Sequence, residues 1–182
     1  MAVSAGLLVC SLPAFSQGRA KHYRNSLAPY VVSPQAIVDR MLEIADLKPG
    51  EMLYDLGSGD GRILMTAVQR FRARAVGVEI SDALVDSTNT RIIKFGLQNE
   101  AKVIHADFLQ VDLSPADVVT MYLATDANEM LRPNLEKYLK PGARVVSHDY
   151  AVPNWKPKLV DKEVPEAKGH VIYLYQIAAK KK

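Results

Sequence analysis

The run Tyr54-Asp55-Leu56-Gly57-Ser58-Gly59-Asp60-Gly61-Arg62 concentrates the residue types best able to hold a ligand. Glycines at alternate positions permit positive φ and a close approach of backbone to ligand. Asp55 stands two residues before the first of them. A dinucleotide fingerprint reads G-x-G-x-x-G, whereas this run reads D-x-G-x-G-x-G, and an acid so placed would repel a pyrophosphate. It suits a ligand bearing a positively charged amine. Further along, Glu79 can accept both hydroxyls of a ribose. Asp107, within His105-Ala106-Asp107-Phe108, can accept from an exocyclic adenine amine, with Phe108 packing nearby. The ligand so described has an amine, a ribose and an adenine but no phosphate.

The elements that must position these groups alternate. Ser33-Pro34 predicts a helix start with a capping hydroxyl and a proline at the first helical position. Ile37, Met41, Ile44 and Ala45 then recur at helical spacing until Lys48-Pro49-Gly50. A short apolar strand at 52–56 runs straight into the glycine run. A second helix follows, with Leu64, Val68 and Phe71 on one face. A strand is predicted over 75–80, then a helix capped by Ser81, carrying Leu84, Ile92 and Phe95 and ending at Gly96. Strands over 102–106 and 117–123, a helix over 126–139 interrupted or restarted at Pro133, and a strand over 144–148 continue the pattern. The expected fold is α/β: a Rossmann-like, mostly parallel sheet with helices on both faces. Segments 159–164 and 171–177 read as a closing antiparallel edge hairpin. The fold places ligands outside the carboxyl ends of the strands, where Asp55, Glu79 and Asp107 fall.

Composition narrows the classes. With 182 residues, 48% hydrophobic and 24% charged, the chain suits one packed domain. A single cysteine, Cys10, excludes a disulfide framework, and neither H-E-x-x-H nor a Walker-type loop is present. The formal net charge is +3, but Arg19, Lys21, Arg24 and Lys180 to Lys182 lie at the ends. The body between them holds 17 bases against 20 acids, so no basic face for nucleic acid is expected. Residues 1–27 divide into an uncharged apolar stretch, Met1 to Ser16, and a basic linker; 28–179 form the domain and 180–182 a basic tail. The apolar stretch reads as a signal-like segment or a tether to a membrane. Ala14-Phe15-Ser16 offers a cleavage site, so export is the alternative. Bases after the stretch rather than before it favour a cytoplasmic, tethered protein.

On the glycine run with acids ending strands one and two, the sequence resembles class I S-adenosylmethionine-dependent methyltransferases over residues 28–177. More narrowly, Ala28-Pro29-Tyr30-Val31, Asp55 to Ile63 and Ala143-Arg144-Val145-Val146-Ser147 resemble the small lysine methyltransferases related to the ATP synthase c-subunit lysine methyltransferase and to broad-specificity archaeal protein lysine methyltransferases. The resemblance implies S-adenosyl-L-methionine as cofactor and a protein substrate with a target lysine; a monomer is expected. A small-molecule methyltransferase and a non-catalytic nucleotide-binding module are the alternatives. Cofactor contacts are expected from Tyr30 (as a lid, with packing of the N-terminal segment as the alternative), Asp55, Gly57, Gly59, Asp60, Gly61, Glu79, Asp107 and Phe108. Asp60 either orients the loop or reaches the methionine part.

The resemblance places the group being methylated at the end of strand four, so Tyr122 is expected to line the site and align an amine. Ser147-His148-Asp149 ends strand five; adjacent strand residues point to alternate faces, which argues against a triad and for His148 or Asp149 bordering the substrate channel. Tyr122 and Asp149 are thus the expected catalytic pair. His105 reads as a core or edge histidine. Trp155 either closes the channel mouth or packs the crossover.

Overall fold

Strand β1 (Met52–Leu56) forms where five apolar-rich residues run into the glycine loop, and parallel neighbours pair with it along both edges. The computed structural model describes residues 30–179, so the predicted N-terminal segment and basic tail lie outside the described residues. In chain order the elements are α1 (Gln35–Ile44), β1, α2 (Arg62–Phe71), β2 (Arg74–Glu79), α3 (Asp82–Lys94), β3 (Ala101–His105), a 3-10 turn (Phe108–Gln110), β4 (Val118–Met121), α4 (Thr125–Tyr138), β5 (Arg144–His148), β6 (Leu159–Asp161) and β7 (Ile172–Gln176). They build a seven-stranded sheet of order β3-β2-β1-β4-β5-β7-β6. Strands β1 to β5 pair parallel, while β7 runs antiparallel to both β5 and β6. The chain turns from one half of the sheet to the other between β1 and β4. The resulting crevice at their carboxyl ends is where open α/β sheets bind ligands.

Alternation along the strands feeds two cores. Leu53, Val118 and Val146 join a cluster with Ile37, Met41, Leu64 and Ile92 from α1, α2 and α3. Leu56, Val119 and Val145 face the other way, against Leu131 and Leu135 of α4. The sheet is therefore sandwiched, as predicted. Among the described residues no helix is long and apolar enough to cross a membrane.

Three local expectations are corrected. Pro34 occupies the N-cap of α1 with no side-chain cap, because the Ser33 hydroxyl is engaged by His148 Nδ1 at 2.8 Å instead. Phe95 does not face the core; it is 55% exposed, since α3 closes one residue earlier and Leu97 packs in its place. Pro133 neither breaks nor restarts α4, which runs through it for 14 residues. Strand bounds at 52–56 and 144–148 agree with expectation, and the remaining strands shift or shorten at their ends.

Candidate functional site

Leaving β1, the backbone folds back on β2: the amides of Gly57 and Ser58 donate to the Val78 carbonyl at 2.9 and 3.1 Å, and Gly61 donates to Ser58 O. Gly59 and Gly61 hold φ of +52° and +73°. Gly61 is the N-cap of α2, so the loop delivers the amide-rich start of that helix to the crevice. A β-carbon on Gly59 would stand 2.7 Å from the Tyr30 ring, and one on Gly61 would strike the Thr88 methyl. Tyr30 thus lies directly against the loop as a lid would, although the ring is 56% exposed.

A further glycine, Gly77 in mid-β2, makes the loop possible from below. The Ser58 side chain turns inward and occupies the space a β-carbon would need, with its Oγ 2.5 Å from that position. Among the described residues the buried Ser58 Oγ finds no hydrogen-bond partner, so it acts as a packing group under the loop.

Asp55, Asp60 and Glu79 lie close enough to repel one another. Asp55 is 3% exposed and accepts from Thr120 Oγ1 at 2.8 Å, across the β1–β4 register that sets the two side by side. Burial pushes its carboxyl up to about 7 against the Thr120 bond, with Glu79 and Asp60 adding repulsion. Glu79 ends β2 and accepts from the Gly59 amide through Oε2, and from the Ile80 and Ser81 amides through Oε1, each at 2.9 Å. It therefore clamps the glycine loop to the carboxyl end of β2. Burial works to raise the Asp60 carboxyl, but the Arg62 guanidinium holds it below the usual range. Arg62 grips both its oxygens, and Arg91 lies 3.8 Å away. That arrangement makes Asp60 a loop-orienting residue first. Asp107 follows β3 and caps the 3-10 turn through the Leu109 amide at 2.9 Å, leaving its other oxygen with only a 3.4 Å contact to Gln110. Phe108, the first residue of that turn, packs partly buried on the α4-side core.

A crowded set of carboxylates, one of them pushed up to about 7 chiefly by burial and further by its acidic neighbours, favours a cationic guest and disfavours a phosphate. The glycine loop, shaped so closely that β-carbons clash at two of its positions, supplies a backbone cradle. These residues fit an adenosyl ligand carrying ammonium and sulfonium charge.

On the other side of β1, the end of β4 brings Tyr122 beside the end of β5. The Tyr122 hydroxyl donates to Asp149 Oδ2 at 3.1 Å, and its ring lies 3.9 Å from that of His148. Burial and the Asp149 contact push the phenol up to about 12. Burial works to raise the Asp149 carboxyl, but the Val171 amide and His170 hold it low. Burial pushes His148 down to about 4, against the pull of Asp149. Ser147 faces away: its hydroxyl bonds the Tyr150 carbonyl and Asn128. No triad forms, as the strand alternation indicated. His105 is an edge residue contacting the Ile80 carbonyl and Asp82. Trp155 packs the crossover, edge-on to Tyr175 and bonded to Glu136. Sequence reasoning missed Thr120, which the β1–β4 register places on Asp55, and His170, which nothing in the local pattern links to Asp149.

Comparison with known proteins identifies the family. A family profile described as "ANTKMT methyltransferase domain" matches residues 55–159. The chain is 47% identical over 154 residues to a protein-lysine N-methyltransferase of Saccharolobus islandicus, covering 84% of this chain and 96% of that one. It is 33% identical over 132 residues to the mouse adenine nucleotide translocase lysine N-methyltransferase, of which it spans 57%. Among solved structures, an RNA methyltransferase from Salinibacter ruber in complex with S-adenosyl-L-homocysteine superposes with a TM-score of 0.78 at 38% identity, over 84% of this chain and 97% of that one. Fold and loop define a class I S-adenosylmethionine-dependent methyltransferase. Within that class the chain belongs to the ANTKMT methyltransferase domain family, and its cofactor is S-adenosyl-L-methionine.

Proposed function

We propose that this enzyme methylates the side-chain amine of lysine in a protein substrate. The observation that carries the reading is the 47% identity running through 96% of the archaeal protein-lysine N-methyltransferase, which spans the glycine loop and the acceptor side alike. The cofactor, when bound, supplies an electrophilic methyl on a sulfonium. Asp55 holds its positive end, Glu79 accepts from the ribose, Asp107 accepts from the adenine amine beside Phe108, and Tyr30 closes over Gly59.

The acceptor enters beside Tyr122. A lysine amine has a pKa near 10.4 and must lose its proton to attack. Partial desolvation beside the Tyr122, His148 and Tyr150 rings lowers that value, and the proton leaves to bulk water before the amine is aligned. Tyr122, its phenol pushed up to about 12, keeps its proton and donates a hydrogen bond to Asp149, so the phenol oxygen is free to accept an amine N–H and aim the nitrogen lone pair. Asp149 is the positioning partner that fixes the phenol. Positioning and exclusion of water carry most of the rate in such a transfer.

RNA as acceptor is favoured by the name of the Salinibacter relative. The acidic body opposes it, because nucleic-acid sites are built on basic faces. The same reading locates the enzyme in the cytoplasm, where the methyl donor is made, with residues 1–16 as a tether. Incubation with methyl-labelled cofactor and a cell lysate, followed by nuclease or protease treatment and mass spectrometry, tests it. Label in protein, on lysine, is expected; label removed by nuclease would overturn it.

A further inference from the structure

We infer that His148, Asp149 and His170 form a binding site for a divalent cation of the zinc class, at the junction of β5 with the turn before β7. His148 Nε2 and His170 Nδ1 are 2.9 Å apart, His170 Nδ1 and Asp149 Oδ2 2.9 Å, and His148 Nε2 and Asp149 Oδ2 3.3 Å. Such a triangle has the spacing of neighbouring ligands around an ion at roughly 2.0–2.2 Å. Two imidazole nitrogens with one carboxylate oxygen select zinc, cobalt or nickel over magnesium or calcium.

Proton bookkeeping points the same way. With a proton on both facing nitrogens, the two N–H groups oppose each other. With the proton on His148 Nε2 alone, the His170 lone pair faces the carboxylate; with it on His170 Nδ1 alone, the His148 lone pair does. No neutral tautomer pair satisfies all three contacts, whereas one cation at the centre satisfies every lone pair. The surroundings also prepare the ligands. The Ser33 hydroxyl, 2.8 Å from His148 Nδ1, can accept the proton there and leave Nε2 bare toward the ion, the outer-shell bond that metal-ligating histidines use. Asp149 is fixed by the Val171 amide on Oδ1 and by Tyr122 on Oδ2, and a φ of +59° turns its side chain toward the histidines. His148 is fully buried while His170 is part-exposed, which gives the ion a way in. The site is independent of which acceptor the enzyme methylates.

Calorimetric titration of the chelator-stripped full chain with zinc chloride tests the inference, with cobalt chloride as a spectroscopic probe. One equivalent should bind per chain, cobalt should develop d–d absorbance, and zinc but not magnesium should raise the melting temperature. His170→Ala and Asp149→Asn should each weaken zinc at least tenfold, and a Cys10→Ser/His22→Ala variant should bind like the parent. No binding by the parent chain below 100 micromolar zinc, binding unchanged in both site variants, or loss in the Cys10→Ser/His22→Ala control would each overturn the site.

Discussion

Asp55, with its carboxyl pushed up to about 7, is mostly protonated at pH 6 and mostly ionised at pH 8 in the ligand-free protein. Because a cationic guest needs the ionised form, cofactor affinity should rise with pH, by up to about tenfold per unit below 7 and little above it. Stability should run the opposite way. The folded pKa exceeds the unfolded value, so the contribution of Asp55 is complete below about pH 4 and is lost as pH climbs through about 7. Asp55→Asn should therefore be more stable than the parent at pH 8, by an amount that disappears at pH 4, while binding cofactor poorly; urea unfolding at the two pH values checks this. Tyr122→Phe removes only the hydroxyl. It should lower kcat roughly tenfold or more and leave cofactor affinity unchanged, as steady-state kinetics beside calorimetry would show. The acids were legible from their spacing around the glycines, but Thr120 and His170 were not, because their partners depend on strand register.

At the scale of elements, the glycine loop depends on β2 beneath it. Gly77→Ala would drive a β-carbon into Ser58 and toward Leu64, at 2.5 to 3.1 Å. Overpacking of this kind costs typically 1–3 kcal/mol. The mutant should show a lower denaturation midpoint together with weaker cofactor binding, because Ser58 must move and carries Gly57 and Gly59 with it. A loss of stability without a change in affinity would show that the loop does not rest on this contact. β1 and β5 were readable to the residue, β1 because its apolar run ends at the glycine turn after Leu56, and β5 because the Pro141-Gly142 turn stands just before it. The start of α1 was misread because Ser33 reaches His148, 115 residues away, a contact no local rule contains. Phe95 was misread because helical periodicity names a face without saying where the helix stops covering the core.

For the whole molecule, charge sorts the candidate acceptors. The 17 bases and 20 acids of the body leave little to neutralise a phosphate backbone. Methyl transfer to protein should accordingly change little between 50 and 200 mM salt, whereas a nucleic-acid substrate held by 6–10 phosphate contacts would lose about 10³–10⁵ in affinity over that range. Filter assays of labelled product at the two salt concentrations distinguish the cases.

The crevice between β1 and β4 as the seat of the adenosyl ligand is tested most directly by calorimetric titration of S-adenosylhomocysteine into the parent, Asp55→Ala and Glu79→Ala proteins, each checked by thermal melt. One equivalent is predicted to bind the parent chain, with binding lost in both folded variants. Undiminished affinity in the two variants would place the ligand elsewhere and contradict the account.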